Sequence, residues 1–155
     1  ALGHGFPVAV GLALAAKKSQ SRRRIFLITG DGELAEGSNW EAALAAAHYG
    51  LDNLVIINDK NNLQLAGPTR EIMNTDPLAE KWLAFGMQVT ECQGNDMASV
   101  VATLEGLKQE GKPNVVIAHT TKGAGISFIQ GRAEWHHRVP KGDEIEQALK
   151  ELKDA

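Results

Sequence analysis

At 155 residues, with 43% hydrophobic and 23% charged side chains, the chain is sized for one globular domain with its own core. A net charge of −3 leaves no electrostatic footprint for nucleic acid, and a single cysteine, Cys92, excludes an internal disulfide framework and suits a reducing, cytoplasmic setting. The apolar run Val8 to Ala16 falls far short of the roughly 18 residues a membrane span requires, and no basic segment precedes it as in a signal peptide.

The chain opens with Ala1 inside what reads as a motif, Leu2-Gly3-His4-Gly5-Phe6-Pro7, so it is expected to be a piece of a longer polypeptide. Residues 6–18 read as a small-residue helix, with Pro7 in its first turn and Lys17-Lys18 at its end. Arg22-Arg23-Arg24 is a solvated lead-in to a strand at 25–29. Ser38-Asn39-Trp40-Glu41 has the form of a capping box opening a helix through Tyr49, closed by Gly50. A strand at 54–58 and a polar loop through Gly67-Pro68 follow, then Asp76-Pro77 as cap and first residue of a helix ending at Gly86. Met87 to Cys92 reads as a strand, with Cys92 a small hydrophobe at its end. Asp96 caps a helix to about Glu110, and Asn114 to Thr121 is a strand buried on both faces. A glycine-bearing loop leads to Trp135-His136-His137, and a charged amphipathic helix from Asp143 runs to Ala155.

Strands alternating with helices predict an α/β fold with a mostly parallel sheet and helices on both faces. Ligands of such sheets bind beyond the carboxyl ends of the strands, where Asp31, Asn61 and Lys122 all fall. Gly30-x-Gly32-x-x-Ala35 formally fits a dinucleotide fingerprint. Asp31, Glu33 and Glu36, however, would surround a bare phosphate with negative charge. A divalent cation reverses that objection, because Mg²⁺ and Ca²⁺ take carboxylate, carboxamide and backbone carbonyl oxygens, completed by phosphate. Asp31, the Asn61 side chain and the Leu63 carbonyl supply such a set, and Gly32 lets the backbone approach a phosphate closely. On these residues alone a metal–diphosphate site, a nicotinamide site and a purely structural turn all stand.

Gly30-Asp31-Gly32 followed by Asn61 at this distance resembles the thiamine-diphosphate motif. The surrounding segments are similar to transketolases: Leu2-Gly3-His4-Gly5, Gly30 to Glu41, Asp59 to Leu63, Thr120-Thr121-Lys122-Gly123-x-Gly125 and Trp135-His136, in order over almost the whole chain. The resemblance implies the thiamine diphosphate-binding fold, with this chain (1–155) as its diphosphate-binding domain, lacking an upstream segment. It implies that Asp31, Asn61 and the Leu63 carbonyl hold Mg²⁺ or Ca²⁺, that Gly32 contacts the diphosphate, and that Leu2 contacts the cofactor near its rings. Glu36 would join a catalytic carboxylate network across the dimer interface. Lys122 and His136 would sit at the diphosphate and substrate mouth, with His136 also catalytic. His137 departs from the glycine common after that histidine, and His4 stands where a glutamine often occurs, which gives it a cofactor-proximal place.

The carboxylate that activates the cofactor's aminopyrimidine lies, in this family, on a separate pyrimidine-binding domain for which 155 residues leave no room. The resemblance therefore implies a split transketolase, in which a pyrimidine-binding, C-terminal subunit completes a hetero-oligomer or dimer of dimers acting on sugar phosphates. Neither nucleic acid nor membrane is an expected partner. 1-Deoxyxylulose-5-phosphate synthase, which shares the cofactor, is the nearest rival. Trp135-His136 and Glu33-Leu34-x-Glu36-Gly37 favour transketolase. A non-catalytic, partner-docking module is the alternative of another class.

Overall fold

A computed structural model describes residues 2–65 and 67–153. In chain order the elements are α1 (Gly5–Lys18), β1 (Ile25–Gly30), a 3-10 turn (Gly32–Ala35), α2 (Gly37–His48) and β2 (Leu54–Lys60). A small hairpin of β3 (Leu63–Gln64) and β4 (Gly67–Pro68) runs into α3 (Thr69–Ile72). Then come α4 (Leu78–Ala84), β5 (Gln88–Gln93), α5 (Met97–Gly106), β6 (Asn114–His119), a second 3-10 turn (Ala133–His136) and α6 (Asp143–Lys153). No helix among the described residues is long and apolar enough to cross a membrane.

The main sheet is wholly parallel, in the order β1-β2-β6-β5. Its central strands carry the runs Leu54-Val55-Ile56 and Val115-Val116-Ile117, buried on both faces as the unbroken apolar pattern predicts. On one face Leu54, Ile56, Val115 and Ile117 meet α1, α2 and α4 through Phe6, Ala13, Ala43 and Trp82. On the other, Val55, Val116 and the buried Cys92 meet Val100 and Leu104 of α5. Helices thus lie on both faces.

Alanines make the first layer thin. Ala9, Ala13 and Ala16 of α1 and Ala42, Ala43 and Ala46 of α2 are buried, so the two helices pack closely against one another and α1 lies at short range on β1. Buried Asn53 ties the layers together by donating from Nδ2 to the Ala13 carbonyl at 3.0 Å. Trp82 anchors the far end, with ring centroids 4.9 Å from Trp40 and 6.1 Å from Phe6.

Several local expectations change. The Ser38 capping box does not form: α2 starts at Gly37 behind Glu36, and the Ser38 hydroxyl donates to the Gly3 carbonyl at 2.7 Å. Pro77, not Asp76, is the cap of α4, because the Asp76 carboxylate is engaged with Lys60. The helix from Asp96 ends at Gly106 and not near Glu110, and Asn114 Nδ2 donates to the Lys108 carbonyl in the extended segment that follows. The strand after Pro113 stops at His119, short of Thr121. The polar loop after β2 contains the β3–β4 hairpin and α3. Ala1, the loop residue Ala66 and the expected helix end at Ala155 lie outside the described residues. Trp82→Ala is expected to cost about 3–5 kcal/mol in chemical denaturation, as removal of a fully buried aromatic from a core does.

Candidate cofactor and metal site

Parallel pairing of β1 with β2 sets Gly30 beside Asp59, and pairing of β2 with β6 sets Lys60 beside His119. The turns that leave these strands therefore share one edge. Asn62, with a φ of 61°, turns its backbone N–H onto Asp31 Oδ2 at 2.5 Å. Asp31 is only 1% exposed, and its other oxygen, Oδ1, is buried with no hydrogen-bond partner. Burial pushes the Asp31 carboxyl above its ordinary value, against the lowering effects of the Asn62 N–H and the Lys60 ammonium, with Asp59 and Asp76 adding repulsion.

Asn61 is oriented from two sides. Its Nδ2 donates to Asp59 Oδ2 at 3.0 Å, and its Oδ1 accepts the Leu63 N–H at 2.9 Å, keeping a second lone pair. Asp59 is held in turn by the Thr120 hydroxyl across the strand ends. Leu63 pairs with Pro68, which has no N–H, so that neighbour leaves the Leu63 carbonyl free of a ladder bond. A Cβ on Gly32 would come within 3.2 Å of Gln64 Cβ and Cγ, and Gln64 Oε1 is another buried atom without a partner. Asp31, Gly32, Asp59, Asn61, Leu63 and Gln64 border a cavity of about 220 Å³ that also touches Leu2, Lys122 and His136.

Among the described residues no three His, Cys, Asp or Glu side chains group as a metal cage. The donors on this edge are one carboxylate, one carboxamide and one carbonyl, all hard oxygens that leave coordination positions for phosphate and water. They fit Mg²⁺ or Ca²⁺ carrying a diphosphate, and Asp31 Oδ1 is the atom with an unmet requirement.

The N-terminal turn is latched to the same edge. Gly3 donates its N–H to Glu33 Oε1 at 3.1 Å while its carbonyl accepts from Ser38. Its φ of +78° and the 2.7 Å that a Cβ would leave to Glu36 Cβ and Ser38 Oγ admit only glycine. The latch brings Leu2 to the cavity, while His4 is exposed and contacts the Leu2 carbonyl through Nδ1 at 3.2 Å. Glu36 is not among the cavity residues; it lies exposed at the start of α2.

From the other side, Lys122 Nζ lies 3.2 Å from His136 Nδ1. Partial desolvation, then the Lys122 and His137 charges, hold the His136 imidazolium below the usual histidine range, so the ring is neutral at neutral pH. The turn bearing His136 is pinned by Trp135, buried at its centre, against Phe128 at 5.3 Å and under the Arg138 guanidinium at 4.1 Å. Arg138 is itself paired with Glu144 of α6. His137 has φ −120° and ψ −4°, a conformation open to any residue, so its departure from glycine leaves the turn unstrained.

Sequence reading missed Lys60, Asp59, Thr120, Gln64 and Leu65. Asp59 alone had a local signal: two positions before Asn61 at a strand end, it shares that residue's side of the strand.

Residues 1–153 match the family described as the transketolase, thiamine diphosphate binding domain, and the chain belongs to the transketolase family. It is 74% identical over 154 residues to an apulose-4-phosphate transketolase subunit of Actinobacillus succinogenes, covering 99% of this chain and 56% of the relative. A subunit of the same name from Phocaeicola vulgatus is 43% identical over 99% of this chain and 55% of the relative. The crystal structure of a Campylobacter jejuni transketolase superposes with a TM-score of 0.90 at 32% identity, over 98% of this chain and 25% of that one. The chain thus spans about half the length of these two subunit relatives.

Two outcomes follow from the charges. The buried Asp31 favours its proton in the folded state, so stability falls as pH rises from the ordinary aspartate range through the raised value, and the loss persists at neutral pH. Asp31→Asn is therefore expected to stabilise the metal-free chain at pH 7 in urea denaturation, with a flatter pH profile. Removing the neighbouring ammonium with Lys122→Met should raise the His136 pKa, read by an NMR titration of the ring.

Proposed function

We propose that this chain is the diphosphate- and metal-binding part of a split, transketolase-like enzyme that transfers a two-carbon ketol unit between sugar phosphates. The observation that carries the reading is the buried, unpartnered Asp31 Oδ1 set beside Asn61 and Gly32 on one cavity. Asp31, Asn61 and the Leu63 carbonyl hold Mg²⁺, with Ca²⁺ as a substitute, and Gly32 and Lys122 seat the diphosphate. When bound, thiamine diphosphate supplies the carbanion chemistry of ketol transfer. Leu2 borders its rings. Neutral His136 donates a hydrogen bond to oxygens that gain negative charge at the substrate mouth. Glu36, exposed beside the latched N-terminal turn, faces the subunit interface.

A pyrimidine-binding subunit supplies the remaining half of the site, in a hetero-oligomer placed in the cytoplasm. The names of both relatives, which describe one subunit of a transketolase and not the whole enzyme, support that division. At 74% identity, apulose-4-phosphate is the donor to test first. The decarboxylating synthase is not favoured, since the family match and these relatives are transketolases.

The test pairs the chain with its pyrimidine-domain partner and follows ketol transfer from apulose-4-phosphate and other ketose phosphates. Metal-dependent transfer, lost in Asp31→Ala together with calorimetric cofactor binding, is the expected result. A stable complex that binds no cofactor and transfers nothing would instead make the chain a docking module.

A further inference from the structure

Leu2 reaches the cavity with little packing to hold it there: it is 56% exposed, and the chain enters the hydrophobic core only with Phe6 of α1. What fixes its place is Gly3, whose two backbone groups are both taken. The N–H donates to Glu33 Oε1 at 3.1 Å, and the carbonyl accepts from Ser38 Oγ at 2.7 Å. Glu33 is itself held, since buried Asn39 donates from Nδ2 to its carbonyl at 2.5 Å. The first turn of α2 therefore grips both sides of the latch with consecutive residues, Ser38 on Gly3 and Asn39 on Glu33. Glu33 also follows Gly32 directly, and both line the cavity with Asp31 and Leu2. One peptide step separates the close-approach glycine from the carboxylate that holds the chain at Leu2.

Resting on the cofactor reading proposed above, we infer that Glu33 and Ser38 are positioning residues for the ring-bearing end of thiamine diphosphate. They touch no part of the reaction and act through Gly3, by setting Leu2 as a wall of the cavity. An apolar leucine contacts ring atoms and offers a diphosphate no hydrogen bond. The latch therefore serves the head of the cofactor and leaves its tail to Asp31, Asn61 and Gly32. Ser38 serves this purpose in place of capping α2, which accounts for a serine whose hydroxyl turns away from its own helix.

The readout is calorimetric binding, in Mg²⁺, of thiamine diphosphate and separately of inorganic pyrophosphate to the chain paired with its pyrimidine-domain subunit. Glu33→Gln and Glu33→Met remove the same charge, and only the second also removes the acceptor for the Gly3 N–H. Glu33→Met should bind thiamine diphosphate about tenfold more weakly than Glu33→Gln, while the two bind pyrophosphate alike. Ser38→Ala should weaken thiamine diphosphate about fivefold and leave pyrophosphate unmoved. Leu2→Ala should show the same split, and in its background Glu33→Gln and Glu33→Met should bind thiamine diphosphate equally, because the latch acts through that side chain. Equal losses for both ligands, no loss for either, or a difference that persists in Leu2→Ala would overturn the inference. A wild-type complex that binds thiamine diphosphate equally in Mg²⁺ and in EDTA would remove the underlying reading as well. Normal metal dependence with unmoved variants would remove only the role given to Glu33 and Ser38.

Discussion

The site depends on one hydrogen bond across two parallel strands. Because β1 and β2 run side by side with Gly30 opposite Asp59, the turn after β2 can aim the Asn62 N–H at the carboxylate after β1. That contact holds Asp31 in the interior, one oxygen satisfied and the other not. A buried carboxylate in that state destabilises the chain on its own, as its raised pKa reflects. The strain is of the kind that binding sites retain, since a cation at Oδ1 would remove it.

Around that contact the chain holds its other candidate groups with fixed partners. Thr120 steadies Asp59, Asp59 steadies Asn61, and the Gly3 latch carries Leu2 to the cavity. Trp135, stacked under Arg138, fixes the turn from which His136 approaches. Each support comes from a different part of the chain, so the geometry exists only once the sheet is complete. The reading proposed above takes this geometry as one half of a site and assigns the other half to a second subunit.

Much of this was legible in the sequence because it is local. Alternating apolar runs and helix-length segments give the parallel sheet, and a carboxylate and a carboxamide after successive strands point to its functional edge. Two of the misread features answer to distant residues. Ser38 has the form of a helix cap, but its hydroxyl is taken by Gly3, 35 positions away. Asp76 reads as a cap until Lys60 claims it. The β3–β4 hairpin is two residues a side, too short to show an alternation. Gln64 and Leu65 join the site only through that hairpin.

The central claim is that Asp31, Asn61 and the Leu63 carbonyl form a cation clamp for the tail of thiamine diphosphate. Its most direct test is calorimetric titration of thiamine diphosphate into the chain paired with its pyrimidine-domain subunit, once in Mg²⁺ and once in EDTA. Saturable binding of one cofactor per chain in Mg²⁺, abolished by EDTA and restored by Ca²⁺, is the predicted result. Equal binding with and without the divalent ion would contradict it.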